Sequence, residues 1–174
     1  VLTPHPGEMA RLTGLSVRQI QSDRIGVARR SAMEWGNIVV LKGSRTIVAF
    51  PDGEIYINPT GNSGMATGGM GDVLSGCIGG MLAQGCPPWK GACRGVYLHG
   101  HAADRSARAR PFGYTASEVA GMLPEGIGAC RGSVTTDSSG VRTCGRGVTT
   151  DGGRVSTRSG GVTAIGECKR ACCR

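Results

Sequence analysis

Three short apolar segments between residues 37 and 58 predict the strands of a small sheet. These segments are NIVVL (37–41), RTIVAF (45–50) and EIYIN (54–58). The first is apolar almost throughout, which is typical of a strand covered on both faces. A tight turn is favoured between the second and third segments, because Pro51, Asp52 and Gly53 separate them. We therefore expect the last two segments to form a hairpin.

Apolar residues at helical spacing predict helices on both sides of these strands. The predicted helices cover residues 7–11, 16–35, 72–84, 88–102 and 115–122. Pro88 suits the first turn of a helix, where its nitrogen needs no hydrogen-bond partner. Thr115, followed three residues later by Glu118, has the pattern of a capping box. This mixture of elements predicts an α/β domain over residues 1–126.

A seven-residue repeat sets residues 127–174 apart from the rest of the chain. Valine recurs at positions 134, 141, 148, 155 and 162, among glycine, serine and threonine. One apolar residue in seven cannot form the seam of a coiled coil, and the glycine content opposes a helix. We expect a low-complexity, disordered tail, and a functional basic tail for an acidic partner is the alternative.

The formal net charge of +8 comes largely from this tail. Residues 128–174 hold 8 of the 20 Lys and Arg residues but only 3 of the 12 Asp and Glu residues. The charge of the remaining chain is therefore nearly balanced. The tail contains no aromatic residue, although binding of single-stranded nucleic acid usually combines basic with aromatic side chains. We expect no nucleic-acid partner, and a basic-tail nucleic-acid-binding protein is a distant alternative.

Other sequence features bear on the cellular context of the protein. Neither a signal peptide nor an apolar run of membrane-spanning length is recognisable, so we expect a cytoplasmic protein without a membrane partner. Cys77, Cys86 and Cys93 lie among small apolar residues, and we expect reduced core thiols. The sequence begins at Val1 rather than Met, which leads us to expect a fragment that lacks its N-terminal part.

The segment GNSGMATGGMGDVLSG, residues 61–76, is the strongest candidate for a functional site. Its glycines precede a predicted helix, whose first turn carries unpaired N–H groups and a partial positive charge. Gly68, Gly69 and Gly71 therefore fit a cradle for a phosphate group. Asp72 is placed either as a base beside that phosphate or as a plain helix cap. From spacing alone both interpretations stay open.

Two further segments carry polar groups that suit a ligand. In LKGSRT (41–46), Lys42 follows an apolar strand and is able to reach a phosphate, with Gly43 and Thr46 beside it. A simple hairpin is the alternative for this segment. In TPHPGE (3–8), two prolines stiffen the chain around His5, which suits a side chain that must point at a ligand. A surface turn is the alternative here.

Together these segments resemble the ADP- or ATP-dependent NAD(P)H-hydrate dehydratases of the ribokinase-like superfamily. The motifs LTPHPGEMARL, LKGSRTIVAFPDGEIYINPTGNSGMATGGMGDVLSG and GVYLHGHAAD carry the resemblance, which covers residues 1–124. It implies a ribokinase-like three-layer α/β/α sheet, here as an N-terminally truncated fragment. It also implies nucleotide-dependent dehydration of NAD(P)H hydrate back to NAD(P)H, with Mg²⁺ and with ADP favoured over ATP.

The resemblance assigns roles to particular residues. His5 and Asp72 would contact the hydrated cofactor, and Asp72 would be the catalytic base. The nucleotide would be bound by Lys42, Gly43, Ser44, Arg45, Thr46, Gly68, Gly69 and Gly71. His99 and His101, with Asp104 close by, suggest a metal site at first sight, but within the resemblance we expect them to be helix-packing residues near the back wall of the site.

The resemblance also bears on partners and on alternative functions. Relatives are often oligomeric, so we expect a homo-oligomer, and an NAD(P)H-hydrate epimerase domain often precedes this one in the full-length protein. A small-molecule kinase of the same superfamily is the alternative function. It would keep Gly71 and Asp72 but would act on a different alcohol.

Overall fold

A three-stranded antiparallel sheet forms the centre of the computed structural model, which describes residues 1–129, 134–136 and 142–144. The strands are β1 (Val39–Leu41), β2 (Ile47–Ala49) and β3 (Ile55–Ile57), in the order β1-β2-β3. Leu2 pairs with Val39 in parallel and so adds a short extended segment beside β1. All three predicted strands are confirmed, each shorter than its apolar segment. The predicted turn is present too, since the Gly53 amide donates to the Phe50 carbonyl at 3.0 Å.

Six helices are described around this sheet. They are α1 (Pro6–Thr13), α2 (Val17–Ser22), α3 (Arg24–Trp35), α4 (Met70–Ala83), α5 (Pro88–Ala109) and α6 (Ala116–Ala129). A 3₁₀ turn covers Ser63–Met65. The capping box at the start of α6 is confirmed, because the Thr115 hydroxyl accepts from the Glu118 amide and the Glu118 carboxylate accepts from the Thr115 amide.

The single helix predicted over residues 16–35 is wrong, because the chain forms α2 and α3 instead. Asp23 separates them with φ −142° and ψ 60°, which lies outside the helical region. Its carboxylate accepts from the Gly26 amide at 2.9 Å and so caps the second helix. The gain from capping α3 accounts for the interruption, although the apolar residues keep a helical spacing on both sides of it.

The helix that follows the glycine segment begins two residues earlier than predicted, at Met70 rather than Asp72. Gly69 precedes it with φ 83°, a left-handed conformation that a glycine adopts without steric cost. Asp72 is therefore the third residue of α4, and no side chain caps this helix. Its interpretation as a plain helix cap is thus wrong.

The sheet is covered by helices on both faces, which accounts for the continuous apolar strands. Val39, Leu41 and Ile47 pack with residues of α1, α2 and α3. Val40 and Val48, which point to the opposite face, pack with residues of α4 and α5. The result is a three-layer α/β/α arrangement, as predicted. A further cluster joins α5 to α6 and is built from Met70, Ala102, Ala103, Tyr114 and Val119.

Part of the repeat segment is described as a second sheet. Strands β4 (Val134–Thr136) and β5 (Arg142–Cys144) pair in antiparallel register. The rest of the disordered tail that was predicted for residues 127–174 lies outside the described residues, apart from the end of α6. Within the part of the chain that is described, the helices are too short or too polar to span a membrane. The three cysteines of the predicted domain are free thiols, and Cys93 is buried.

Candidate active site

A cavity of about 690 Å³ lies at the end of the sheet where β1 and β3 end and β2 begins. The connection between β1 and β2 and the segment that follows β3 both lie at this end of the sheet, so their backbone and polar side chains line the cavity. The walls come from the N-terminal side of α1, two loops, and the facing sides of α4 and α5. They comprise His5, residues 42–46 and 58–63, Met65, Ala66, Met70, Gly71, Leu74, Val96, His99 and Gly100.

The cavity brings together most of the residues predicted for the site. His5, Lys42, Gly43, Ser44, Arg45, Thr46 and Gly71 all line it. Gly68, Gly69 and Asp72 are exposed beside it and are not part of its walls. The three segments that the sequence singled out, TPHPGE, LKGSRT and the glycine segment, therefore meet at one site, with Asp72 at its rim next to Gly71.

The ammonium group of Lys42 lies at the first turn of α4. A Cβ atom placed on Gly71 would be 3.2 Å from Lys42 Nζ, so this glycine leaves room for the lysine. Lys42 Nζ also lies 3.4 Å from Glu8 Oε2. The positive end of the α4 dipole and the lysine charge thus act on the same space. Such an arrangement favours the binding of an anion such as phosphate.

His5 is oriented by the start of α1, where it is the N-cap residue. Its Nδ1 accepts from the amides of Gly7 and Glu8, at 3.0 and 3.2 Å. A neutral His5 therefore carries its proton on Nε2, which lies 3.5 Å from Glu8 Oε1. His5 thus caps a helix, and its predicted role toward a ligand stays a prediction.

Glu8 connects His5 to Lys42 and was not identified from the sequence. One carboxylate oxygen accepts from the His5 amide at 2.6 Å and lies near the lysine, while the other faces the imidazole. The His5 amide hydrogen bond lowers the pKa of Glu8 most, and the charge of Lys42 lowers it further against an opposing effect of burial. Glu8 is thus an anion that holds the side chains of His5 and Lys42 in place at the site. The E of TPHPGE was the available signal.

The loop between β1 and β2 is fastened by Arg24, another residue that the sequence did not reveal. The guanidinium donates to the carbonyl of Ser44 at 2.6 Å and to those of Leu41 and Lys42 at 3.3 Å. Gly43 has φ 141°, and a Cβ there would lie 2.8 Å from the guanidinium. These hydrogen bonds of Arg24 hold the loop in place at the wall of the cavity.

The loop after β3 is held against α5 by side-chain hydrogen bonds. The carboxylate of Asp104 accepts from the Gly61 amide at 3.0 Å and from Asn62 Nδ2 at 2.9 Å. The Asn62 side-chain oxygen in turn accepts from the Gly64 amide and the Tyr114 hydroxyl. Asp104 is therefore not a metal ligand paired with the histidines but an anchor for the loop that leads to α4.

The two histidines of α5 have different surroundings. The ring of His101 stacks on that of Tyr97, with centroids 6.0 Å apart, which agrees with the expected packing role. His99 is buried and lines the cavity. Among the described residues no group of three His, Cys, Asp or Glu side chains could hold a metal ion. Packing near the back wall of the site was predicted for both histidines, and His99 does lie in the wall of the cavity.

Comparison with known proteins agrees with this fold and site. The chain matches the family described as NAD(P)H-hydrate dehydratase over residues 1–125. A bifunctional NAD(P)H-hydrate repair enzyme of Moorella thermoacetica is 57% identical over 110 residues, which is 63% of this chain and 21% of that protein.

Two solved structures show the same architecture. An ADP/ATP-dependent NAD(P)H-hydrate dehydratase from Bacillus subtilis, co-crystallised with ATP and Mg²⁺, superposes with a TM-score of 0.69 at 40% identity, covering 72% of this chain and 47% of that one. A ribokinase-like superfamily protein from Enterococcus faecalis gives a TM-score of 0.62 at 36% identity, covering 72% and 43%.

Fold and site together define an α/β protein of the ribokinase-like class, with a candidate anion site at the start of a helix. Within this class, the chain belongs to the NAD(P)H-hydrate dehydratase family. The family and fold inferred from the sequence motifs are thereby confirmed. The chain spans about a fifth of the length of the bifunctional relative and less than half of each solved structure.

Proposed function

We propose that this protein catalyses the nucleotide-driven dehydration of NAD(P)H hydrate back to NAD(P)H. The observation that carries the proposal is the meeting of Lys42, the first turn of α4 and His5 around one cavity. Phosphoryl transfer depends mainly on positioning and on stabilising negative charge. A lysine and a helix N-terminus that act on the same space provide that stabilisation.

In this proposal the loop after β1 and the start of α4 bind the nucleotide phosphates and ribose. Lys42, Gly43, Ser44, Arg45 and Thr46 form one side, and Gly68, Gly69 and Gly71 form the other. The donor is ADP or ATP, with ADP favoured. The B. subtilis relative is named as ADP/ATP-dependent and was crystallised with ATP and Mg²⁺, which supports the use of an adenine nucleotide together with Mg²⁺. Mg²⁺ would arrive with the phosphates, since it keeps few protein ligands at such sites.

The other substrate is the hydrated nicotinamide, which we place next to His5 and Asp72. Its ring hydroxyl attacks the terminal phosphorus of the nucleotide, and its proton passes to the Asp72 carboxylate. The bond from that phosphorus to the bridging oxygen breaks at the same time. Asp72 is suited to this role because it is exposed at the rim, one residue after Gly71.

The second stage restores the ring double bond. The carbon–oxygen bond breaks, and inorganic phosphate leaves with the electron pair while the ring nitrogen stabilises the resulting cation. The neighbouring ring carbon then gives a proton to the released phosphate, and the electrons of that carbon–hydrogen bond form the double bond. Within the chain, His5 Nε2–H would donate a hydrogen bond to the substrate and Lys42 would stabilise the phosphate.

The wider setting belongs to the same proposal. The M. thermoacetica relative is bifunctional, which supports an epimerase activity upstream in the full-length protein. A homo-oligomer in the cytoplasm is the setting we propose for the complete enzyme.

A turnover assay tests the proposal. The 174-residue chain is supplied with NADPH hydrate, Mg²⁺ and either ADP or ATP, and the return of NADPH absorbance is followed. Binding of ADP is measured in parallel. We expect nucleotide-dependent recovery that falls roughly 10²–10⁴-fold in Asp72→Asn, the range for loss of a general base. Glu34→Gln, which removes an exposed carboxylate outside the cavity, should leave turnover unchanged.

Other results would contradict the proposal. A chain that binds no nucleotide, or an Asp72→Asn variant that turns over like the wild type, would show that this site does not drive the reaction. Phosphorylation of another small alcohol, without recovery of NADPH, would favour a kinase of the same superfamily.

A further inference from the structure

His99 is a buried polar residue whose hydrogen bonding is incomplete. Only 6% of its surface is exposed, and Nε2 has no hydrogen-bond partner among the described residues. Buried polar atoms are nearly always paired, because an unpaired one costs roughly 1–3 kcal/mol. The histidine nevertheless lies in the wall of the cavity rather than deep in the core. A buried, unpaired nitrogen beside a cavity indicates a group that a ligand satisfies.

The surroundings of His99 narrow the chemistry of that ligand. Leu74 and Val96 contribute apolar wall on the facing helices, and Met70 lies beside them. The polar neighbour Asn58 is already engaged, since its amide donates to the Thr60 carbonyl at 3.0 Å and its oxygen accepts from the Thr60 hydroxyl at 3.1 Å. This part of the cavity therefore combines apolar walls with one imidazole. A flat heteroaromatic ring with a polar edge fits such a lining.

We propose that His99 hydrogen-bonds to the base of the bound nucleotide and sets its preference for adenine. The inference rests on the proposed function, because it assumes that the nucleotide phosphates lie between Lys42 and the first turn of α4. With the phosphates there, the base occupies the apolar part of the same cavity, against α5.

The protonation state of His99 agrees with this role. Burial lowers its pKa to about 4, so the ring is neutral near pH 7 and offers one donor and one acceptor nitrogen. A neutral imidazole suits an uncharged base, whereas an imidazolium would suit a phosphate. If His99 pairs with adenine, a different base leaves the buried imidazole unpaired, and the cost of that unpaired group makes the site select adenine over other bases.

Binding of nucleotides to the 174-residue chain tests the inference without requiring turnover. ADP, GDP and pyrophosphate are titrated calorimetrically into the wild type, His99→Leu and His99→Gln. We expect the wild type to prefer ADP over GDP. His99→Leu should weaken ADP binding roughly 3- to 10-fold, the range for one neutral hydrogen bond, and reduce the ratio of ADP to GDP affinity. Pyrophosphate affinity should not change, and His99→Gln should retain part of the preference.

Two further measurements separate this role from packing. Thermal unfolding of His99→Leu without nucleotide should occur at the same temperature as the wild type or higher, because an unpaired buried nitrogen has been removed. Nitrogen NMR signals of the His99 ring should shift on addition of ADP but not of pyrophosphate, while those of His101 stay in place.

The possible failures are distinguishable. Suppose that His99→Leu keeps the ADP affinity and base preference of the wild type, or that it loses pyrophosphate affinity equally. The inference is then wrong, although nucleotide binding stands. It is also wrong if the wild type binds ADP and GDP with equal affinity. If the wild type binds neither ADP nor pyrophosphate, the proposed function fails and the inference fails with it.

Discussion

Gly71→Ala should make the protein more stable and its nucleotide binding weaker. Gly71 is the second residue of α4, and its φ lies outside the left-handed region, so alanine fits the backbone. Alanine in place of a helical glycine stabilises by about 0.5–1 kcal/mol. The new Cβ would lie 3.2 Å from Lys42 Nζ, which is tighter than an ordinary contact, so the lysine must move by a few tenths of an ångström.

Binding of the nucleotide is weakened because the movement of Lys42 disturbs its hydrogen bond to a phosphate. A charge-assisted hydrogen bond between a lysine and a phosphate contributes about 1.5–3 kcal/mol. Loss of about half of it corresponds to roughly 4- to 13-fold weaker binding. The methyl group also narrows the approach of a phosphate to the N–H groups of the first turn, which acts in the same direction.

Calorimetric titration with ADP and thermal unfolding without it measure the two effects separately. Gly79→Ala is the matched control, because Gly79 lies on the same helix and an added Cβ would have nothing within 4 Å. It should raise the unfolding temperature by about 3 °C, as a change near 1 kcal/mol does in a chain of this size, and leave ADP affinity unchanged. Wild-type ADP affinity in Gly71→Ala would refute the assignment of an anion site at α4.

Two other substitutions probe the supports of the site. Glu8→Gln should flatten the acid side of the stability profile. The pKa of Glu8 in the folded state is lowered, so its carboxylate stabilises the fold fully above the ordinary pKa of 4.5, and this stabilisation is lost as pH falls through the lowered pKa. Unfolding is measured at stepped pH, and equal losses of stability below pH 4.5 in the wild type and Glu8→Gln would contradict the prediction. Gly100→Ala should destabilise by roughly 1–3 kcal/mol, because its Cβ would lie 2.3 Å from Thr60 Oγ1 and 2.9 Å from the Gly61 amide nitrogen. Urea unfolding should show no such loss for Gly121→Ala, where the space is open; equal midpoints for the two variants would argue against close packing of α5 on this loop.

Local patterns in the sequence were sufficient for most of the fold. The strands follow from short apolar runs, and α5 from a proline followed by a helical spacing. The break at Asp23 was missed because apolar periodicity continues through it, while the capping bond to Gly26 depends on one side-chain conformation. The early start of α4 was missed because it depends on the left-handed conformation of Gly69, and a glycine in the sequence is compatible with several backbone conformations.

The sequence by itself determined the class of protein and the three segments that form the candidate site, because motif composition and spacing are local properties. The tertiary structure decided which side chains support those segments. Arg24 reaches the loop at Ser44 across 20 positions, and Asp104 reaches Asn62 across 42. It also decided that His99 lines the cavity whereas His101, two residues later, packs on Tyr97. Such contacts depend on how helices pack against the sheet, and no short stretch of sequence encodes that packing.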